Sequence, residues 1–326
     1  MLGRIREISK LLKNLCLVFI ISIGIIAIVA SGGGGDDGSS SGSSSDSSGG
    51  SSSDTDSGSS DSSYDDSDLP TGASFVYEDD DANPTTITFG SITITGDTES
   101  ATYDGNIVTI NSPGTFNIIG TIANGQIKVD TQEDGDVRLV FQGANITCDF
   151  GAPIDIENAE RIVVRLESGT NNYLTDTHAS IVYDEDSEEI DAAFYSKEDL
   201  VICGTGSLNI DTSYKDGIKT KDGLIIASGT INVTSEDDGI IGKNYICIED
   251  GTITVDAGGD GLKSTQDGDD EEGYIYIADG KFDIDAGADA IQVETNIVIQ
   301  DGVFNLYTYR GSGTTTSNTA KGLKAL

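Results

Sequence analysis

The chain has 326 residues and a formal net charge of −38, with 56 acidic residues against 18 Lys and Arg. Such a field repels nucleic acid, and with one His, His178, a Ser-His-Asp triad has a single possible base and no nucleophile placed beside it. Abundant Gly (41 residues), absent Trp and short runs rich in Thr, Ile and Val point to an all-β class.

At the start, Arg4, Arg6, Lys10 and Lys13 precede the apolar run "LCLVFIISIGIIAIVA" at 15–30. That run is short for a spanning helix and suits a signal-peptide core, with a membrane anchor as the alternative. Either way the body is expected to be extracellular or held at the cell surface. Residues 31–72 are almost only Ser, Gly and Asp, with nine Asp and no Lys or Arg. That composition predicts a disordered, self-repelling tether.

The body is expected over 73–326. Segments such as "TTITFGSITIT" (85–95), "NIVTIN" (106–111), "GQIKVD" (125–130) and "DVRLVFQGANIT" (136–147) alternate apolar and polar residues between Gly, Asn and Asp. This is strand patterning. Turn glycines then recur at 206, 229, 251, 280 and 302, each followed by a similar strand: "SLNI", "TINV", "TITV", "KFDI", "VFNL". A period of about 22 residues with only strands and turns inside it predicts a parallel β-helix of roughly eleven coils, stacked about 4.8 Å apart. Leu224, Ile226, Ile231 and Val233 should point inward, with Ile246, Ile248, Ile253 and Val255 above them. The insert "QDGDDEEG" at 266–273 should widen one coil.

The same period aligns Asp216, Asp238, Asp260 and Asp289 in one column, followed by Gly217, Gly239, Gly261 and Ala290. Asp-Gly is a good turn, which is one reading. Stacked carboxylates repel, however, and Asp237 adds another beside Asp238. The second reading is therefore a Ca2+ site built across coils from Asp216, Asp237, Asp238, Asp260 and Asp289. Lys219 and Lys263 lie three residues after column aspartates, and Lys324 extends that row. Lys197, Lys221 and Lys243 form another. These rows either balance charge or grip an anionic or hydroxyl-rich ligand.

The stretches "AAFYSKEDLVICGTGSLNI" (192–210), "DGIKTKDGLIIASGTINVTSEDDGIIGK" (216–243), "GGDGLKS" (258–264) and "GADAIQVET" (287–295) carry a resemblance. They look like the calcium-containing carbohydrate-binding β-helix family of cellulolytic clostridia, whose fold is similar to family 9 pectate lyases. The resemblance covers about 85–325. It implies a right-handed parallel β-helix, Ca2+ as cofactor, and a plant cell-wall glycan such as polygalacturonate or cellulose as partner. It makes Asp216, Asp237, Asp238 and Asp260 the foremost candidate ligands.

Two other functions stay open. A pectate lyase would need a Lys base near calcium, and Lys263 or Lys243 is placed for it. A structural or adhesive rod would use calcium for stability alone. A neutral glycan would instead be gripped by tyrosine faces, with Tyr274, Tyr276, Tyr307 and Tyr309 the candidates. His178 reads as an ordinary loop residue, and Cys148, Cys203 and Cys247 as thiols too far apart to bridge.

Overall fold

The computed structural model describes residues 83–308, apart from 185, 187 and 270, together with 320–326. The leader at 1–30, the tether at 31–72 and Tyr309 lie outside the described residues. Those described contain strands and no helix.

Through most of the stack each strand pairs in parallel with the strand three places later, so the chain winds as three-strand coils with three stacked faces. In one coil the strands are Asp216–Thr220, Gly223–Ile226 and Thr230–Ser235. Face one continues through Ile240–Gly242, Leu262–Lys263, Ile291–Val293 and Leu323–Ala325. Face two runs through Tyr245–Ile248, Tyr274–Ile277 and Ile297–Ile299, and face three through Thr252–Ala257, Lys281–Ala286 and Val303–Thr308. Near the other end the long strand Asp136–Cys148 serves faces two and three at once, pairing with both Arg161–Leu166 and Asn171–Asp176. The first strands depart from the rule. Thr85–Phe89 pairs antiparallel with Thr93–Thr95, and Ala101–Asp104 with Ile107–Ile110. These hairpins occupy the first edge of the stack, where an unpaired strand would otherwise invite association.

The pitch in sequence is less regular than the central repeat suggests. Ile218, Ile240, Leu262, Ile291 and Leu323 are stacked partners, and the steps on either side of Ile291 are longer than the first two. Upstream, Ile154 and Phe194 are partners across a step nearly twice the central one. Nine parallel strands therefore stack on face one among the described residues, not the eleven expected from a constant period.

The core is a set of side-chain ladders. All eight residues expected to point inward, from Leu224 to Val255, are buried. Further on, Phe282 and Phe304 stack with centroids 4.6 Å apart and planes 3° from parallel. No coil hides its apolar side alone, so each ladder depends on its neighbours. The turn between faces two and three is made by Gly229, Gly251, Gly280 and Gly302, at φ between +119° and +140°. In the preceding coil the left-handed residue is Gly204, at φ +103°, in place of the expected Gly206.

Candidate functional site

The column aspartates sit where the chain enters face one, and all four are buried. None of their glycines has a left-handed backbone, so the turn itself does not demand glycine there. Gly239 lies where an added Cβ would meet Val255 Cγ1 at 2.4 Å and Gly261 O at 2.6 Å. Gly217 and Gly261 are as tightly packed. The Asp-Gly word thus records a close approach between coils and face three, a third reading that the sequence did not suggest.

Each column carboxylate serves the next coil. Asp216 Oδ1 accepts the Asp238 N–H at 3.1 Å, Asp238 Oδ1 the Asp260 N–H at 2.7 Å, and Asp260 Oδ1 the Asp289 N–H at 2.8 Å. Asp289 Oδ1 accepts the Lys321 N–H at 2.7 Å. The second oxygens take lysines. Lys219 Nζ is 2.5 Å from Asp191 and 3.0 Å from Asp216, Lys263 Nζ is 2.8 Å from both Asp238 and Asp260, and Lys324 Nζ is 3.0 Å from Asp289.

The lysine row has gaps. In register it reads Lys219, Ile241, Lys263, Gln292, Lys324. At Ile241 no ammonium separates Asp216 from Asp238, and it is there that Asp237 joins them. One carboxylate oxygen from each of the three lies within 4.8 Å of the others. Asp237 has no carboxylate counterpart, since Lys215, Gly259 and Ala288 precede the other column aspartates. At Gly259 an added Cβ would lie 2.5 Å from Asp238 Oδ1 and 2.6 Å from Asp237 Oδ1. A glycine is what leaves those oxygens room. Burial pushes the Asp216 carboxyl up to about 7 against the opposing Lys219, with Asp191 and Asp238 adding to the rise. Burial likewise raises Asp238. Asp191, Asp216, Asp238 and Asp260 share only two ammonium groups, Lys219 and Lys263, and Asp237 adds a further carboxylate. Such hard oxygen donors in excess of their cations fit a calcium-like ion, which prefers them to nitrogen or sulfur. Asp260 and Asp289 stand farther along the column on their lysines, outside this group.

The other lysines are mostly taken. Lys197 Nζ is 2.8 Å from Glu157, 2.8 Å from Asp184 and 2.9 Å from Asp186. Lys221 Nζ lies 3.4 Å from Glu188. Lys243 forms no ion pair among the described residues. Burial works to discharge Lys263, but its hydrogen bonds to Asp238 and Asp260 outweigh burial and hold it above the ordinary lysine value.

Several of these partners lie in residues 177–191, a strap that the sequence reading passed over. It lengthens the step from Ile154 to Phe194 and leads from face three back to face one. Its short hairpin is closed by the Ile190 N–H to Val182 O and the Asp184 N–H to Glu188 O, both 2.8 Å. Asp184 Oδ1 also accepts the N–H groups of Asp186 at 2.9 Å and Glu188 at 2.8 Å. His178 is no ordinary loop residue: it is buried, with Nδ1 2.5 Å from Asp176 Oδ1 and its ring centroid 4.0 Å from that of Tyr214. The acidic run at 184–191 was the available signal.

Two of the tyrosines proposed to grip sugar are not available for it. Tyr274 and Tyr276 are buried in an outer apolar cluster with Val201, Ile225 and Cys247. Tyr307 is exposed.

The family model for carbohydrate-binding domain-containing proteins matches residues 104–326, which hold the whole column, both lysine rows and the strap. The chain belongs to this family. A carbohydrate-binding domain-containing protein of Acetivibrio thermocellus (strain ATCC 27405) is 36% identical over 126 residues, 39% of this chain and 44% of the relative. The chain thus matches less than half the length of that family member. A solved structure of the polysaccharide lyase-like protein from C. thermocellum, a gadolinium derivative, superposes with a TM-score of 0.62 at 28% identity. That alignment covers 73% of this chain and 99% of the other. Carbohydrate-binding membership and a polysaccharide lyase-like fold accord with the β-coil architecture described above.

Proposed function

We propose that this chain is a calcium-dependent binding module for plant cell-wall polysaccharide, polygalacturonate foremost and cellulose second, working outside the cell or at its surface. The coil is taken as right-handed, the hand that parallel crossovers adopt. The observation that carries the reading is the lysine gap at Ile241, where Asp216, Asp237 and Asp238 converge.

When bound, calcium would supply positive charge that both the protein and a uronate chain can share. The protein's own residues do the rest. Asp216 and Asp238 are fixed by the main-chain N–H groups they accept, so their carboxylates are oriented in advance. Gly259 keeps Asp237 and Asp238 close together. Lys243, without an ion pair among the described residues, offers an ammonium to the glycan's own carboxylates. A net charge of −38 repels a polyanion at long range, so local cations must overcome that field.

The test is titration with polygalacturonate in calcium and in chelator, using wild type and Asp237→Asn. Binding that is lost with chelator and weakened in the variant supports the reading. Binding indifferent to both overturns it.

A lyase is the second reading, favoured by the polysaccharide lyase-like neighbour. The base would then be Lys243, because Lys263 is held as an ammonium between two carboxylates. A rise in absorbance from unsaturated product on polygalacturonate would identify it.

A further inference from the structure

Lys197, Lys221 and Lys243 stand at equivalent places on three successive coils. The Lys197 N–H donates to Ile156 O, that of Lys221 to Ser196 O, and that of Lys243 to Thr220 O. Their backbones are therefore about 4.8 Å apart. The strap covers the first two. Asp184 and Asp186 take Lys197, and Glu188 takes Lys221. Two more described acids of the strap take the neighbouring cations: Glu189 is 2.9 Å from Lys215 Nζ and hydrogen-bonded to the Tyr214 hydroxyl, and Asp191 is 2.5 Å from Lys219. Four lysines thus each hold a carboxylate from one short segment, and among the described residues the row is open only at Lys243.

We propose that the strap is a built-in anionic competitor, its carboxylates filling the places that carboxylates of an acidic glycan take when the strap lifts. This rests on the acidic-glycan reading above and adds its regulation. Three features show a closed state short of its best stability. Tyr195 packs against Val182 and Ile190 of the strap, and its hydroxyl and the Oδ1 of its register partner Asp155 are buried with no hydrogen-bond partner; a buried polar group left unpaired favours opening. Lys215 meets Glu189 from a left-handed backbone, φ +52°, the one positive-φ position among described residues other than glycine, and such strain collects in switching segments. Ile181 and Tyr183 face solvent, so the apolar hold on the strap falls to Val182 and Ile190. The middle is the weakest part: the Asp186 and Glu188 side chains are 78% and 53% exposed, whereas Asp184 is fully covered. A glycan bound first at Lys243 would extend along the row by displacing Glu188 from Lys221, then Asp186 from Lys197.

The experiment compares the full chain with Asp186→Asn/Glu188→Gln, two changes at exposed side chains that spare the fold. Affinity for polygalacturonate in calcium is expected to rise about threefold to tenfold, the weight of two exposed ion pairs. Adding Lys197→Met and Lys221→Met to that variant should remove the gain. An unchanged or lowered affinity overturns the strap. If neither protein binds polygalacturonate, inorganic polyphosphate is the second probe. A gain there that the Lys→Met changes abolish keeps the strap and overturns the uronate reading alone, and no gain with either polyanion overturns the strap.

Discussion

Ile241 and Lys263 are register partners on adjacent coils, yet only Lys263 bridges two column carboxylates, Asp238 and Asp260. The Ile241→Lys variant should complete the pattern. Lys219 and Lys263 are only 17% and 23% exposed on either side, so a lysine stem has precedent there. The new ammonium is expected between Asp216 and Asp238, where it would take the place of a divalent ion. Wild type should gain thermal stability with added calcium, and the variant should lose that gain while folding normally. A calcium-dependent shift that survives in Ile241→Lys would place the ion elsewhere.

Gly239 and Ala290 stand at equivalent points after their column aspartates, but Gly239 has no space for a methyl group. Gly239→Ala should destabilise the body by about 1–3 kcal/mol through overpacking against Val255 and the Gly261 carbonyl. Ala290→Gly should cost roughly 1 kcal/mol or less. Denaturant melts of the two variants check the order, and equal effects would restore the turn explanation of the repeated Asp-Gly.

Asp155 is pushed from 3.8 up to about 7, by burial first and by Glu157 next. Between those values the native state keeps a proton that the unfolded chain has released, so this group lowers stability as pH rises from about 4 to 7. Above that range the full penalty is present. Asp155→Asn should match wild type in Tm near pH 4 and exceed it by a growing margin up to neutral pH. A margin flat across that range would refute the assignment.

The two lysines weighed as bases should respond differently to loss of charge. Lys263→Met leaves the buried Asp238 and Asp260 without their shared ammonium, so it is expected to cost about 1–3 kcal/mol of stability. Lys243→Met breaks no ion pair among the described residues and should leave Tm nearly unchanged while weakening polygalacturonate binding severalfold. A stable Lys263→Met protein that binds poorly would reverse these roles.

The ladders were legible because strand alternation and stacking are both periodic. Ile226, Ile248 and Ile277 fall at matching points of successive units, and they are buried partners. The same alignment placed Asp216, Asp237 and Asp238 in one candidate set, but together with Asp260 and Asp289, because it does not show which column members a lysine separates. The pairing of lysines with the column did not follow from it, because spacing shows rows but not which neighbour an ammonium chooses. Alternation with Ile275 and Ile277 turns Tyr276 outward, as a sugar-gripping role requires, but no local pattern shows that an outward row is covered. The strap escaped for another reason. The long step from Ile154 to Phe194 has no counterpart in the repeat, so the acids at 184–191 had nothing to be aligned with.

The alternation of Lys219, Ile241, Lys263, Gln292 and Lys324 makes two coils the smallest electrically complete unit of this stretch. Deleting a single turn there would set two ammonium groups side by side or two carboxylates without a mate. Lengthening or shortening of the rod over this span should therefore be tolerated in pairs of turns, a parity rule that hydrophobic stacking alone would never impose.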